Sequence, residues 1–323
     1  MVPELPAAAA EDGRRPVPDV PPPPPGVWPL APSSGRAGPP GLDGRPALRA
    51  RATMSAPMAG IGLSVVAIAV YLGGQVVVSL LAGFALVLGG VIDPDMLEPD
   101  AGGTVLLAVA VLSQIAGVGA VLLLLRLRRI ALAPVVGRLR PVGRTIGIGA
   151  GVGLLTVIAT TVVVTVILTL VGSEDAPEQV LTRDIAEGGA TLVLAVIAAV
   201  VIAPLIEELL FRGLLHRGLR ARMRVVPATA ISSLAFAVIH VEVLFSQPIA
   251  LIGLTIAGAV MAIAYERTGN LLLPVVIHAT YNAVTLVAVV VAGRLEDLLP
   301  PETLVATFLE AIVVPLVGSG GAG

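Results

Sequence analysis

Two adjacent carboxylates, Glu207 and Glu208, and one guanidinium, Arg212, stand in the stretch VVIAPLIEELLFR at 200–212, near the end of an apolar run that begins at Thr191. An ionisable side chain inside a membrane span costs ~2.5 kcal/mol or more, so it marks a functional site by default. Helical geometry divides the pair. Glu208 and Arg212 lie four residues apart on one face, where the cation can neutralise the carboxylate. Glu207 is turned by about 100° around the axis and its own i+4 neighbour is Phe211, so it has no local counter-charge and is free to do chemistry. Pro204 lacks the N–H that the helix would use and is expected to kink it beside the carboxylates. The blander reading, a span that has ended in a solvated acidic turn, conflicts with the apolar pattern continuing through LLFRGLL.

The chain has three histidines, and two of them fall in apolar runs: His240 in AISSLAFAVIHV and His278 in LLLPVVIHATYN. At ~1.5 Å per helical residue, Glu207 lies roughly 15 Å from Arg217, His278 roughly 12 Å from Asn270 and His240 up to roughly 24 Å from Arg224. Three spans thus carry polar groups to overlapping depths. Asn282 follows His278 by four residues and shares its face, and both can donate to an oxygen that develops negative charge. Phe236 shares a face with His240 and can shape the pocket. His216, in RGLLHRGLR, reads as an interfacial surface residue, and Ser232 and Ser233 read as packing residues. Tyr265, Tyr281 and Glu242 are candidates for lining a cavity.

A carboxylate beside an imidazole can hold and deprotonate a water, while a second imidazole and a carboxamide stabilise a tetrahedral oxyanion. That is an outline for peptide-bond hydrolysis within a membrane. There is no HExxH, no GxSG around a serine and no pair of aspartates in the spans, so the corresponding zinc, serine and aspartyl routes have no support. Glu207, Glu208, His240 and His278 could supply ligands for Zn²⁺, but their spacing fits no zinc motif and a Glu–His–water arrangement works without a metal. The expectation is that no cofactor is required. Were a metal bound, Glu207, His240 and His278 would be its ligands.

The elements that must position these groups are transmembrane helices. The chain of 323 residues is 56% hydrophobic and 13% charged, against about a quarter charged in soluble domains, which makes it a polytopic membrane protein. Absence of Cys removes disulfides and thiolate chemistry, and no basic stripe with interleaved aromatics points to nucleic acid. Every basic residue is Arg, and the wealth of Ala, Gly, Val and Pro suggests a GC-rich bacterial genome. The expected fold is an all-α bundle of about eight spans enclosing an intramembrane polar site, with runs near 59–92, 104–125, 145–172, 190–212, 227–245, 248–266, 270–292 and 303–318. Gly147, Gly149, Gly151 and Gly153 offer close helix contact in the third run.

Residues 1–53, with their Pro-rich composition, read as a disordered tail, and Met54 stands as an alternative start. The remaining domains are expected as N-terminal helices at 54–188, a catalytic core at 189–318 and a short tail at 319–323. Arg-rich loops alternate with acidic ones, so the positive-inside rule puts the N-terminus in the cytoplasm, across a bacterial plasma membrane crossed several times.

Three motifs on successive runs resemble a known family. EELLFR at 207–212 matches EExxxR, FAVIH at 236–240 matches FxxxH, and HATYN at 278–282 matches HxxxN. These resemble the signatures of the CPBP family of intramembrane proteases, also called the Abi or CAAX-protease family, which includes the Rce1-like CAAX prenyl endopeptidases. The resemblance is strong over 190–292 and absent from the tail. It implies that Glu207 and His240 activate the catalytic water, that His278 and Asn282 form the oxyanion hole, and that Glu208 and Arg212 support the site. It also implies a peptide or membrane-protein substrate, lipidated or not, met among membrane lipids near the cytoplasmic face. Two other classes remain open at this point. One is a non-enzymatic scaffold or bacteriocin-immunity protein. The other is a proton-coupled transporter, for which intramembrane Glu and His would form a relay but for which no inverted repeat is visible.

Overall fold

The computed structural model describes residues 60–91, 103–137, 141–171, 185, 188–240 and 248–296, all within the compact unit Gly44–Gly323. The tail at 1–53, the expected span at 303–318 and residues 319–323 lie outside the described residues. The described residues are helical: α1 Ile61–Leu88, α2 Gly103–Leu127, the short α3 Ala133–Val136, α4 Val142–Val171, α5 Gly189–Arg220, α6 Val225–Val238, α7 Ala250–Thr268 and α8 Leu272–Glu296. Six of them, all but α3 and α6, are long and apolar enough to cross a membrane. This is a multi-pass all-α membrane protein.

The expected count of eight spans is not reached among the described residues, and α6 is the reason within the core. The expected span at 227–245 is a helix of 14 residues, which rises about 21 Å against a hydrocarbon thickness of about 30 Å. His240 ends it. The imidazole Nδ1 bonds the Phe236 carbonyl at 2.9 Å, while the His240 backbone N–H turns to Ala237 O. A side chain thus takes the carbonyl that the next helical turn would have used, which is how a helix C-terminus is satisfied without continuing. The fourth run also differs, extending to Arg220 instead of ending at 212.

Helix α5 runs through the middle of the bundle. Its Leu209–His216 stretch packs on α1, α3, α6 and α7, and its Ile197–Ile202 stretch on α2 and α8. Both stretches are π-helical, separated by the α-helical turn Ala203–Glu208 that carries Pro204 and the two carboxylates. Around this axis α1 pairs with α2, α4 with α8, and α6 with α7.

Two tight contacts set the position of α8. Gly269 ends α7 in the left-handed region (φ +60°), its N–H bonding Tyr265 O at 2.7 Å. Asn270 Oδ1 then accepts from Leu272 N, starting α8 two residues later. Gly137 braces this turn from φ +77°, where a Cβ would sit on Gly269 O, and Val136 O accepts from Leu271 N. Along the helix, Gly149 and Gly153 of α4 face α8. A Cβ on Gly149 would lie 2.6 Å from Val276 Cγ1, and one on Gly153 would lie 2.7 Å from Thr280 Cβ and 2.8 Å from Ile277 O. Gly147 and Gly151 have nothing within 4 Å, so two of the four glycines expected to pack do so.

Gly153→Ala is therefore expected to force α4 and α8 apart beside His278 and to lower stability by about 1–3 kcal/mol, whereas Gly151→Ala gains helix propensity at no steric cost. Thermal unfolding in detergent checks this, and equal stability of the two variants would sink the packing account.

Candidate active site

Within α5, Glu208 and Arg212 pair as their spacing requires, Nη1 to Oε1 at 2.7 Å, with neither side chain more than 1% exposed. Arg212 reaches further, donating from Nη2 to the Gly258 carbonyl of α7 at 2.9 Å. Its guanidinium also lies over the Phe236 ring of α6, 4.6 Å from the centroid, a contact worth up to about 2 kcal/mol when desolvated. On its other side Glu208 Oε1 accepts from His278 Nδ1 at 3.0 Å. One cation, one carboxylate and one imidazole are linked in series across α5 and α8.

Glu207 differs from its neighbour in its partners and its exposure, although each keeps a buried Oε2 without a hydrogen bond. It has no ion pair closer than His278, whose Nε2 stands 3.9 Å from its Oε2. That Oε2 is buried with no hydrogen-bond partner, while 12% of the side chain stays open. Because the carboxylate of Glu208 can only accept, Nδ1 of His278 carries a proton and the ring is fixed with Nε2 turned to Glu207.

Phe236 is the hub of the arrangement. Its ring meets Phe211 at 5.5 Å, His240 at 5.1 Å and His278 at 5.5 Å, each edge-to-face, the geometry that ring quadrupoles favour. His240 is half-buried, and because the Phe236 carbonyl can only accept, its Nδ1 is the protonated nitrogen and Nε2 is the acceptor in the neutral ring. Asn282 donates from Nδ2 to the Ala199 carbonyl of α5 at 2.6 Å. Glu207, Glu208, Arg212, Phe236 and His278 thus gather directly, His240 joins them through Phe236, and Asn282 is tied to the backbone of α5. Among the described residues no group of three or more His, Cys, Asp or Glu side chains is arranged to hold a metal ion. Glu207, His240 and His278 do not fit a zinc site as placed.

Residues 189–284 match the family described as type II CAAX prenyl endopeptidase Rce1-like. This segment is Rce1-like. The Rce1-like segment contains all three motif stretches, from Glu207 to Asn282. The chain is also 32% identical over 156 residues to an uncharacterized 24.3 kDa protein of Escherichia coli, an alignment covering 47% of this chain and 66% of that one. The chain thus spans just under two thirds of that relative's length. No solved structure matches.

Outside the Rce1-like motifs, His216 corrects the sequence reading. It is 1% exposed, not a surface residue. Its Nε2 bonds Glu266 Oε2 at 3.1 Å and its Nδ1 bonds Ser232 Oγ at 3.2 Å, and Arg220 holds the other oxygen of Glu266 at 2.9 Å. The signal was there in the spacing, because Glu208, Arg212, His216 and Arg220 recur every four residues and the last two continue a column whose first pair was recognised. Tyr265 is buried, donating to Val135 O at 2.7 Å and accepting from Arg217. Tyr281 meets Thr160 of α4 at 3.2 Å. Glu242 lies outside the described residues.

His216→Ala leaves Glu266 and Ser232 short of a partner, and the expected cost is about 1–3 kcal/mol. A surface histidine would change stability by no more than about 0.5 kcal/mol, so thermal unfolding of this variant separates the two placements.

Proposed function

We propose that the chain is an intramembrane endopeptidase in which Glu207 and His240 activate a water while His278 and Asn282 stabilise the oxyanion. The observation that carries this reading is the contrast between two adjacent carboxylates. Glu208 is fully enclosed, its Oε1 held by both Arg212 and His278, whereas Glu207 is held by no ion pair tighter than 3.9 Å and keeps an open edge beside His278. A separation of 3.9 Å is too long for a direct hydrogen bond, and it suits one oxygen atom bonded to both groups at about 2.8 Å.

The chemistry follows from the proton positions. Glu207 takes a proton from the water, assisted by the acceptor Nε2 of His240, and the resulting hydroxide adds to the peptide carbonyl. The oxyanion accepts from His278 Nε2 when that ring carries both protons, and from the amide hydrogen of Asn282 that Ala199 does not use. Collapse breaks the C–N bond, and the proton held by Glu207 passes to the leaving amine, so no group is consumed. Charge on Glu208 and Arg212 stays fixed throughout, holding the His278 ring.

The substrate class is a peptide or membrane protein, prenylated or unmodified, presented among membrane lipids. Arg128, Arg129, Arg222 and Arg224 mark one end of the bundle as cytoplasmic by the positive-inside rule. On that basis the N-terminus lies in the cytoplasm of a bacterial cell, and the resemblance to the CAAX-protease family implies that the site opens to the same side.

Cleavage of a panel of prenylated and unmodified fluorogenic peptides by the purified chain in liposomes tests the reading. Glu207→Ala and His240→Ala are each expected to lower cleavage by about 10²- to 10⁴-fold with thermal unfolding unchanged for Glu207→Ala, and a chelator is expected to have no effect. Cleavage by Glu207→Ala at the wild-type rate would refute the assignment.

A further inference from the structure

The proline beside the two carboxylates does more than bend α5. The stretch Ile197–Ile202 is π-helical, and at its end the Ala203 N–H reaches back five residues to Ala198 O. Continuing that register, the next bond would run from residue 204 to Ala199 O. Residue 204 is proline and has no N–H to give. The carbonyl at Ala199 is the one that Asn282 Nδ2 bonds, at 2.6 Å. We infer that Pro204 is a positioning residue: by withholding one backbone N–H in a π register, it frees the Ala199 carbonyl to anchor the Asn282 carboxamide.

Three features make the arrangement specific. A bare carbonyl inside an apolar bundle is costly, so it binds the nearest donor, and Asn282 on α8 is that donor. Carbonyl oxygen can only accept, so the contact fixes which end of the carboxamide is NH₂ and leaves its second hydrogen directed elsewhere. Past Pro204 the helix returns to the α register, with Leu209 N bonding Leu205 O, and so presents Glu207 about two turns from Ala199, the anchored asparagine's acceptor. A proline at the start of an α-helical turn is itself tolerated, so the device adds no strain of its own.

The role of the anchored carboxamide in catalysis rests on the proposed protease reading, whereas the hydrogen bond does not. The test is a double-mutant cycle of Pro204→Ala and Asn282→Ala on the full chain in detergent, read by thermal unfolding and by peptide cleavage. In the wild-type background Asn282→Ala lowers Tm. In the Pro204→Ala background the restored N–H occupies Ala199 O, and Asn282→Ala lowers Tm by less than half as much. Equal losses in the two backgrounds overturn the inference. In cleavage, Pro204→Ala lowers kcat several-fold at unchanged KM although the protein is as stable as wild type or more so, and it adds nothing once Asn282 is alanine. A proline that serves only to bend the helix predicts unaltered kcat, which likewise overturns the inference. If the wild type cleaves no peptide at all, the protease reading fails and the Tm cycle alone decides the hydrogen bond.

Discussion

A guanidinium without exposed surface is the constraint on which the rest of this bundle depends. Arg212 cannot lose its charge, and in a low-dielectric interior removal of its partner would cost about 3–5 kcal/mol. Its partners come from three other directions: Glu208 on its own helix, the Gly258 carbonyl on α7 and the face of Phe236 on α6. Satisfying one cation therefore fixes the relative positions of α5, α6 and α7. Glu208 extends the constraint to α8 by accepting from His278, so four helices are registered through one fully buried pair. The consequence for chemistry is indirect but strict. His278 presents Nε2 to Glu207 because Nδ1 is already engaged.

The unusual backbone of α5 serves the same end. A continuous α-helix rotates successive i+4 positions gradually off a face, yet Glu208, Arg212 and His216 are all buried along one column. The wider π register across Leu209–His216 takes up part of that rotation. Below it, His216 meets Ser232 and Glu266, so the column stays satisfied down to Arg220 near the end of the helix. Helix α6 contributes by stopping short. Because His240 caps its own helix, the imidazole comes to rest against Phe236 instead of being carried onward in a continuous span.

Much of this was legible in the residues. The i+4 spacing of Glu208 and Arg212 announced the buried pair, and the same rule isolated Glu207 as the unpartnered carboxylate. Overlapping depths brought Glu207 and His278 to one level, and the motif stretches fall inside the Rce1-like segment. What was not legible depended on hydrogen bonds between distant positions or on backbone register. His216 looked interfacial because its partners, Ser232 and Glu266, lie 16 and 50 residues away. The π stretches leave no mark in apolar periodicity, so Pro204 was read as a kink and Ala199 passed unnoticed. The early end of α6 was hidden because an apolar run continues past His240 and only the ring-to-carbonyl bond reveals where the helix closes.

The central claim is that two adjacent glutamates divide the work, one holding the frame and one left free. Side-by-side thermal unfolding of Glu207→Gln and Glu208→Gln in detergent tests it most directly, since the substitutions are chemically identical and one residue apart. The account predicts a clear drop in Tm for Glu208→Gln, which strips the charge from a buried pair and weakens its hold on His278. It predicts a Tm for Glu207→Gln no lower than that of the wild type. Equal losses, or a larger loss for Glu207→Gln, would contradict it.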